Sequence, residues 1–83
     1  AIAPTLHAVL QAMAEQWRTG ERDYGALENT AKARLAAAGF RPDYVEIRRA
    51  DDLQRPASDD AALRIFAAAW LGRARLIDNL AVA

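Results

Sequence analysis

Cysteine is absent from the 83 residues, which excludes disulfides and zinc-thiolate sites and fits a reducing compartment, so the cytoplasm is the expected location. Histidine occurs once, at His7, so a two-histidine metal site and the Ser-His-Asp and Cys-His nucleophile arrangements lack their parts. Charge of one sign is missing too: 11 basic and 11 acidic side chains cancel, and neither nucleic acid nor an anionic membrane is an expected partner. No apolar run approaches the ~20 residues that span a bilayer, and Ala1-Ile2-Ala3-Pro4 has neither a basic leader nor a signal-type stretch. The start without Met is consistent with a piece of a longer chain. Gly20, Gly25, Gly39 and Gly72 are too scattered for a phosphate loop. With no repeat, low-complexity tract or flexible linker, residues 1–83 read as a single domain, and a chain of this length supports one core.

What is there reads as two helices and three strands. Pro4 suits a first helical turn, and Leu6, Leu10, Met13, Ala14 and Trp17 recur at helical spacing, giving a helix from about Pro4 to Thr19. Asp23 can cap a second helix with Tyr24, Leu27, Ala31 and Leu35 on its apolar face and Gly39 at its end. The short Gly20-Glu21-Arg22 link makes the helices antiparallel neighbours. Tyr44-Val45-Glu46-Ile47-Arg48 alternates as a half-buried strand does. Asp51 to Asp60 reads as a solvent-facing connection with one helical turn at Asp51 to Leu53.

Ala61 to Leu71 carries conflicting signals. Its five alanines favour helix, but Ile65-Phe66-Ala67-Ala68-Ala69-Trp70-Leu71 has no polar face, and a domain this small can hardly bury a helix all round. A strand buried on both faces fits better. Gly72-Arg73-Ala74 then turns the chain, and Arg75-Leu76-Ile77-Asp78-Asn79 returns beside it. The expected fold is α+β, two N-terminal antiparallel helices packed on a three-stranded antiparallel sheet.

Chemistry-bearing groups are sparse. His7 reads as a solvated or structural side chain. The pairs Asp51-Asp52 and Asp59-Asp60 invite a magnesium or acid/base reading, but adjacent carboxylates in a polar loop usually stay solvated. Trp17, Phe40, Phe66 and Trp70 read as core anchors, since no basic stripe interleaves them as in a stacking platform. Arg41, Arg48, Arg49 and Arg55 stand among Asp43, Glu46, Asp51 and Asp52 as a mixed solvated face. Arg75 and Asp78, three apart in a strand, point to opposite faces, so each needs its own partner if buried.

Ile2-Ala3-Pro4 with Leu6 and Leu10, Gly20-Glu21-Arg22-Asp23, Gly39-Phe40-Arg41-Pro42-Asp43-Tyr44, Ile47-Arg48, Ala50-Asp51, and Ala68-Ala69-Trp70-Leu71-Gly72 leading to Arg75-Leu76-Ile77-Asp78-Asn79 occur in that order. Together they resemble the C-terminal domain of the bacterial pantothenate synthetases, the pantoate-beta-alanine ligases, along essentially the whole chain. The resemblance implies a parent enzyme that uses ATP and magnesium to adenylate pantoate, releasing pyrophosphate. The β-alanine amine then attacks the mixed anhydride to give pantothenate and AMP, a step of coenzyme A biosynthesis. It also implies that an N-terminal nucleotide-binding domain holds ATP and both substrates, and that the parent is a homodimer through that domain. That domain's histidine-glycine signature and phosphate loop have no counterpart in residues 1–83. What remains resembles the family's mobile lid, hinged at or upstream of Ala1, whose part is closure over the acyl-adenylate. No catalytic, cofactor-binding or metal-binding residue carries over, and the piece alone is expected to be inactive and to bind no cofactor.

The alternative is a free-standing interaction module that binds another protein through its helices or a strand edge. Absence of a nucleotide-binding domain encoded directly upstream of Ala1 would favour it. Helical geometry throughout Ala62 to Leu71 would count against the family resemblance.

Overall fold

The computed structural model describes residues 3–50, 52–56 and 62–82. Helix α1 spans Ala3–Arg18 and buries Leu6, Val9, Leu10, Met13, Ala14 and Trp17, the three- and four-residue spacing of a single helical face. At its end Gly20, at φ +110°, lets two amides turn back: Gly20 N–H donates to Trp17 O at 3.0 Å and Glu21 N–H to Gln16 O at 3.1 Å. This pair of bonds satisfies carbonyls that have no partner further along the helix.

Helix α2 spans Tyr24–Ala37, and the Asp23 carboxylate accepts from the Ala26 amide as its cap. The C-terminus repeats the α1 ending. Gly39, at φ +95°, donates to Ala36 O at 3.1 Å while Phe40 N–H donates to Leu35 O at 2.9 Å. The side chains of Leu35 and Phe40 are both buried, the apolar contact that accompanies this ending.

Strands β1 (Arg41–Arg49), β2 (Leu63–Leu71) and β3 (Ala74–Val82) form an antiparallel sheet in the order β1-β2-β3. The architecture is α+β, two helices then three strands. Strand geometry from Leu63 to Leu71 overrides the alanine propensity for helix. Alanines at 67 and 69 on the central strand are fully buried and belong to the core cluster that the helices also line. Gly72 and Arg73 make a two-residue turn between paired Leu71 and Ala74, with Gly72 at φ +60°, the first-position glycine of a II′ hairpin.

Two sequence expectations, the start of β1 and the burial of β2, are corrected. Strand β1 begins at Arg41 and not Tyr44, because a bulge between Pro42 and Tyr44 accommodates the proline and keeps the ladder going. Strand β2 is buried along one face only, from Leu63 to Ala69; the other face, apart from Ala68, is half-buried, as is Leu71 at the strand's end. Of the helical turn expected at Asp51 to Leu53, Asp51 lies outside the described residues; Leu53 N–H donates to Arg49 O at 3.0 Å, the four-residue reach of one helical turn, which ends at Leu53 in the left-handed region, φ +58°. Asp59 and Asp60 also lie outside the described residues.

The core lies between the helices and one sheet face, to which Val45, Ile47, Leu63, Ile65, Ala67, Ala69 and Val82 contribute, with Leu71, Leu76 and Leu80 at its margin. A fully buried leucine such as Leu10 or Leu35 contributes on the order of 1.5–3 kcal/mol.

Candidate functional site

The two faces of the sheet differ in kind. On the inner face, half-buried Asp78 stands among apolar neighbours. Its Oδ2 meets His7 Nδ1 at 2.9 Å and its Oδ1 accepts from the Asn79 amide at 2.8 Å. The donor to Oδ2 is the Nδ1–H, which assigns the proton of a neutral His7 to that nitrogen. His7 is thus a structural clasp between α1 and β3, and it explains how a carboxylate is tolerated beside the core.

A second clasp centres on Glu28 of α2. Its carboxylate accepts both guanidinium NH₂ groups of Arg55 and the backbone N–H of Ile47 at 2.8 Å. One nearly buried side chain therefore covers an edge amide of β1 and ties the 52–56 loop to α2. The hydrogen bonds to Glu28 raise the Arg55 pKa above its ordinary value, with the Glu28 charge adding to them. Arg55 therefore stays charged across any working pH. Among the described residues no three His, Cys, Asp or Glu side chains gather as metal ligands.

The outer face is different. Cross-strand register aligns Tyr44 with Ala68 and Ile77, Glu46 with Phe66 and Asn79, and Arg41 with Trp70 and Arg75. Residues directly opposite share a face, so Tyr44, Phe66, Trp70 and Ile77 form an aromatic and apolar band. Leu53 adds to it: with Tyr44, Glu46, Arg48 and Phe66 it lines a shallow open groove of about 270 Å³. Ile77 (64% exposed) and Leu53 (52%) are the large exposed hydrophobic residues among the described ones, and both stand here.

Arginines interleave the band. Arg41 lies 5.7 Å from the Trp70 ring centroid and Arg75 6.0 Å from that of Tyr44. Arg75 reaches from β3 across the central strand to Asp43 on β1, with Nε at 3.1 Å and an NH₂ group at 2.9 Å from Oδ2. Arg64 donates to Asn79 Oδ1 at 2.6 Å, and Arg48 pairs with Glu46 at 3.0 Å.

The sequence placed Phe66 and Trp70 in the core; only Trp17 and Phe40 belong there. Apolar residues filling both phases of β2 hid the alternation that separates the faces. Arg75 and Asp78 do face opposite ways, each with its own partner. The arginine set is split: Arg55 bonds Glu28, Arg49 pairs with Asp52 at 3.4 Å, and Arg41 and Arg48 join the outer face. The basic residues beside the aromatics, missing from the linear sequence, are assembled by strand pairing.

The family model of pantoate-beta-alanine ligase matches residues 1–81. The chain is 55% identical over 80 residues to a pantothenate synthetase of Thioalkalivibrio sulfidiphilus and 50% identical over 80 residues to one of Pseudomonas entomophila; each alignment covers 96% of this chain and 28% of the relative. A crystal structure of the pantoate-beta-alanine ligase (pantothenate synthetase) of Thermus thermophilus superposes with a TM-score of 0.75 at 35% identity, covering 93% of this chain and 28% of that one. The chain spans little more than a quarter of the length of these relatives. Its match from residue 1 to residue 81 and its shared fold make it a member of the pantoate-beta-alanine ligase family.

Proposed function

We propose that this chain is the C-terminal lid domain of an ATP-dependent ligase that joins pantoate to β-alanine through a pantoyl-adenylate, releasing pyrophosphate and AMP. The observation that carries the reading is the family match along almost the whole chain combined with coverage of only 28% of each relative. The described residues bring together no group of three or more possible metal ligands and no glycine-rich cradle for phosphates, and no chemical step is routed through them. The domain's contribution is closure, which keeps water from an acyl-adenylate that hydrolysis would waste. Its partner is the nucleotide-binding domain of the same enzyme, and the setting is the cytoplasm. No helix among the described residues is long and apolar enough to cross a membrane.

The test is direct. The 83-residue protein mixed with ATP, magnesium, pantoate and β-alanine should yield neither AMP nor pantothenate, whereas the full-length parent should yield both in step. Turnover at an enzymatic rate by the 83 residues alone would overturn the lid reading, and a parent without ligase activity would overturn the parent assignment.

A further inference from the structure

We propose that the outer sheet face, the band of Tyr44, Phe66, Trp70, Ile77 and Leu53 with its arginines, is the surface by which this domain docks onto the remainder of the parent ligase chain; this rests on the lid reading above. The helices occupy the inner face and, among the described residues, no element packs over the outer one. It holds the two large hydrophobic residues that are exposed among the described ones, and its mixture of Tyr, Trp, Phe and Arg is the composition that protein interfaces favour over other surface.

Size selects the occupant. Three strands of nine residues make a face of roughly 400 Å², hence about 800 Å² over both partners. That falls within the roughly 600–1,500 Å² of contacts between domains of one chain and below the roughly 1,200–2,000 Å² of a stable complex between separate molecules. Such a domain would leave and return, as a lid must. Charge describes the opposing surface: Arg41, Arg48, Arg64 and Arg75 stand against Asp43 and Glu46, so the docked region should offer an acidic rim. Ion pairs, ring contacts and, for Arg64, a hydrogen bond to Asn79 already hold these arginines in place, which lowers the ordering cost of docking.

Leu53 gives an independent indication. A leucine in the left-handed region at φ +58° is strained by about 1–2 kcal/mol, and what the strain achieves is an apolar side chain set beside Tyr44 and Phe66.

The experiment is carbene footprinting of the full-length parent with ATP, magnesium and pantoate, against the isolated 83 residues. Labelling of Leu53, Trp70 and Ile77 should slow by roughly threefold or more in the full chain, as for side chains sealed in an interface, while that of the exposed α2 residues Asn29, Thr30, Lys32, Ala33 and Arg34 is unchanged. Equal labelling in both proteins would overturn the proposal, and so would protection that grows with protein concentration, which would assign the face to a second copy. In the full-length parent, Ile77→Glu and Leu53→Gly should restore labelling of Trp70, and Leu53→Gly should do so without lowering thermal stability; unchanged protection in both variants would count against the face. Protection in a parent that lacks ligase activity would remove the ligase reading and leave the docking surface standing. An active parent with an unprotected face would do the reverse.

Discussion

His7 and Asp78 lie 71 positions apart and meet at 2.9 Å, joining the first half of α1 to the middle of β3. Because the two side chains are 44% and 30% exposed, solvent screens the pair. Its worth is set by what happens to the Asp78 carboxylate when its partner is removed. His7→Ala is expected to lower stability by about 0.5–1 kcal/mol, and a double-mutant cycle with Asp78→Ala to give a coupling of similar size. Urea denaturation of the four proteins measures both, and additive losses would show that the contact contributes nothing.

Glu28 should matter more than the arginine it holds. Glu28→Ala frees the Arg55 guanidinium and also strips the Ile47 amide of its acceptor, so a cost of about 2 kcal/mol is expected. Arg55→Ala leaves the amide bonded and should cost about 0.5–1 kcal/mol. The order of the two urea midpoints decides the matter; equal losses would mean that the edge amide finds water instead.

Two glycines should respond with opposite signs to alanine. Gly39 is at φ +95°, where an L side chain is strained, and Gly39→Ala is expected to cost about 1–2 kcal/mol. Gly25 lies in the first turn of α2 without a positive φ, and a Cβ there would meet only Asp23 Oδ1 at 3.7 Å. Gly25→Ala should therefore stabilise by roughly 0.5–1 kcal/mol through a less flexible unfolded chain. Thermal melts of both variants should move in opposite directions.

Local chemistry explains which features could be read from the linear sequence. Asp23 before Tyr24, Gly39 after the α2 face and Gly72 after Leu71 act within four residues of themselves, and each does what its residue type suggests. The β2 strand was legible because a helix with apolar residues all round had nowhere to go. The two faces of β2 were not, since Ala67, Ala68 and Ala69 are consecutive and equally apolar, and only pairing with β1 and β3 assigns Phe66 and Trp70 outward. The same limit hid His7 with Asp78 and Arg75 with Asp43, whose partners are 71 and 32 positions away. The Pro42 bulge, which precedes Tyr44, was likewise invisible to an alternation that starts only at that residue.

Trp17 offers a test of how much a buried polar atom costs. Its ring is in the core, and Arg22 stacks 4.5 Å from its centroid, yet the buried indole Nε1 has no hydrogen-bond partner among the described residues. An unpaired buried donor costs about 1–3 kcal/mol, and that cost is already part of the wild-type stability. Trp17→Ala should lose about 3–5 kcal/mol by opening a cavity. Trp17→Phe keeps most of the ring, retains a surface for Arg22 and removes the unpaired N–H, so the lost volume and the recovered desolvation largely offset each other. The expected change is under about 1.5 kcal/mol, read from urea denaturation followed by far-UV circular dichroism, since the fluorophore itself is altered. A loss for Trp17→Phe approaching that of the alanine variant would mean that the indole nitrogen is satisfied in solution and that its full volume is needed between α1 and the sheet.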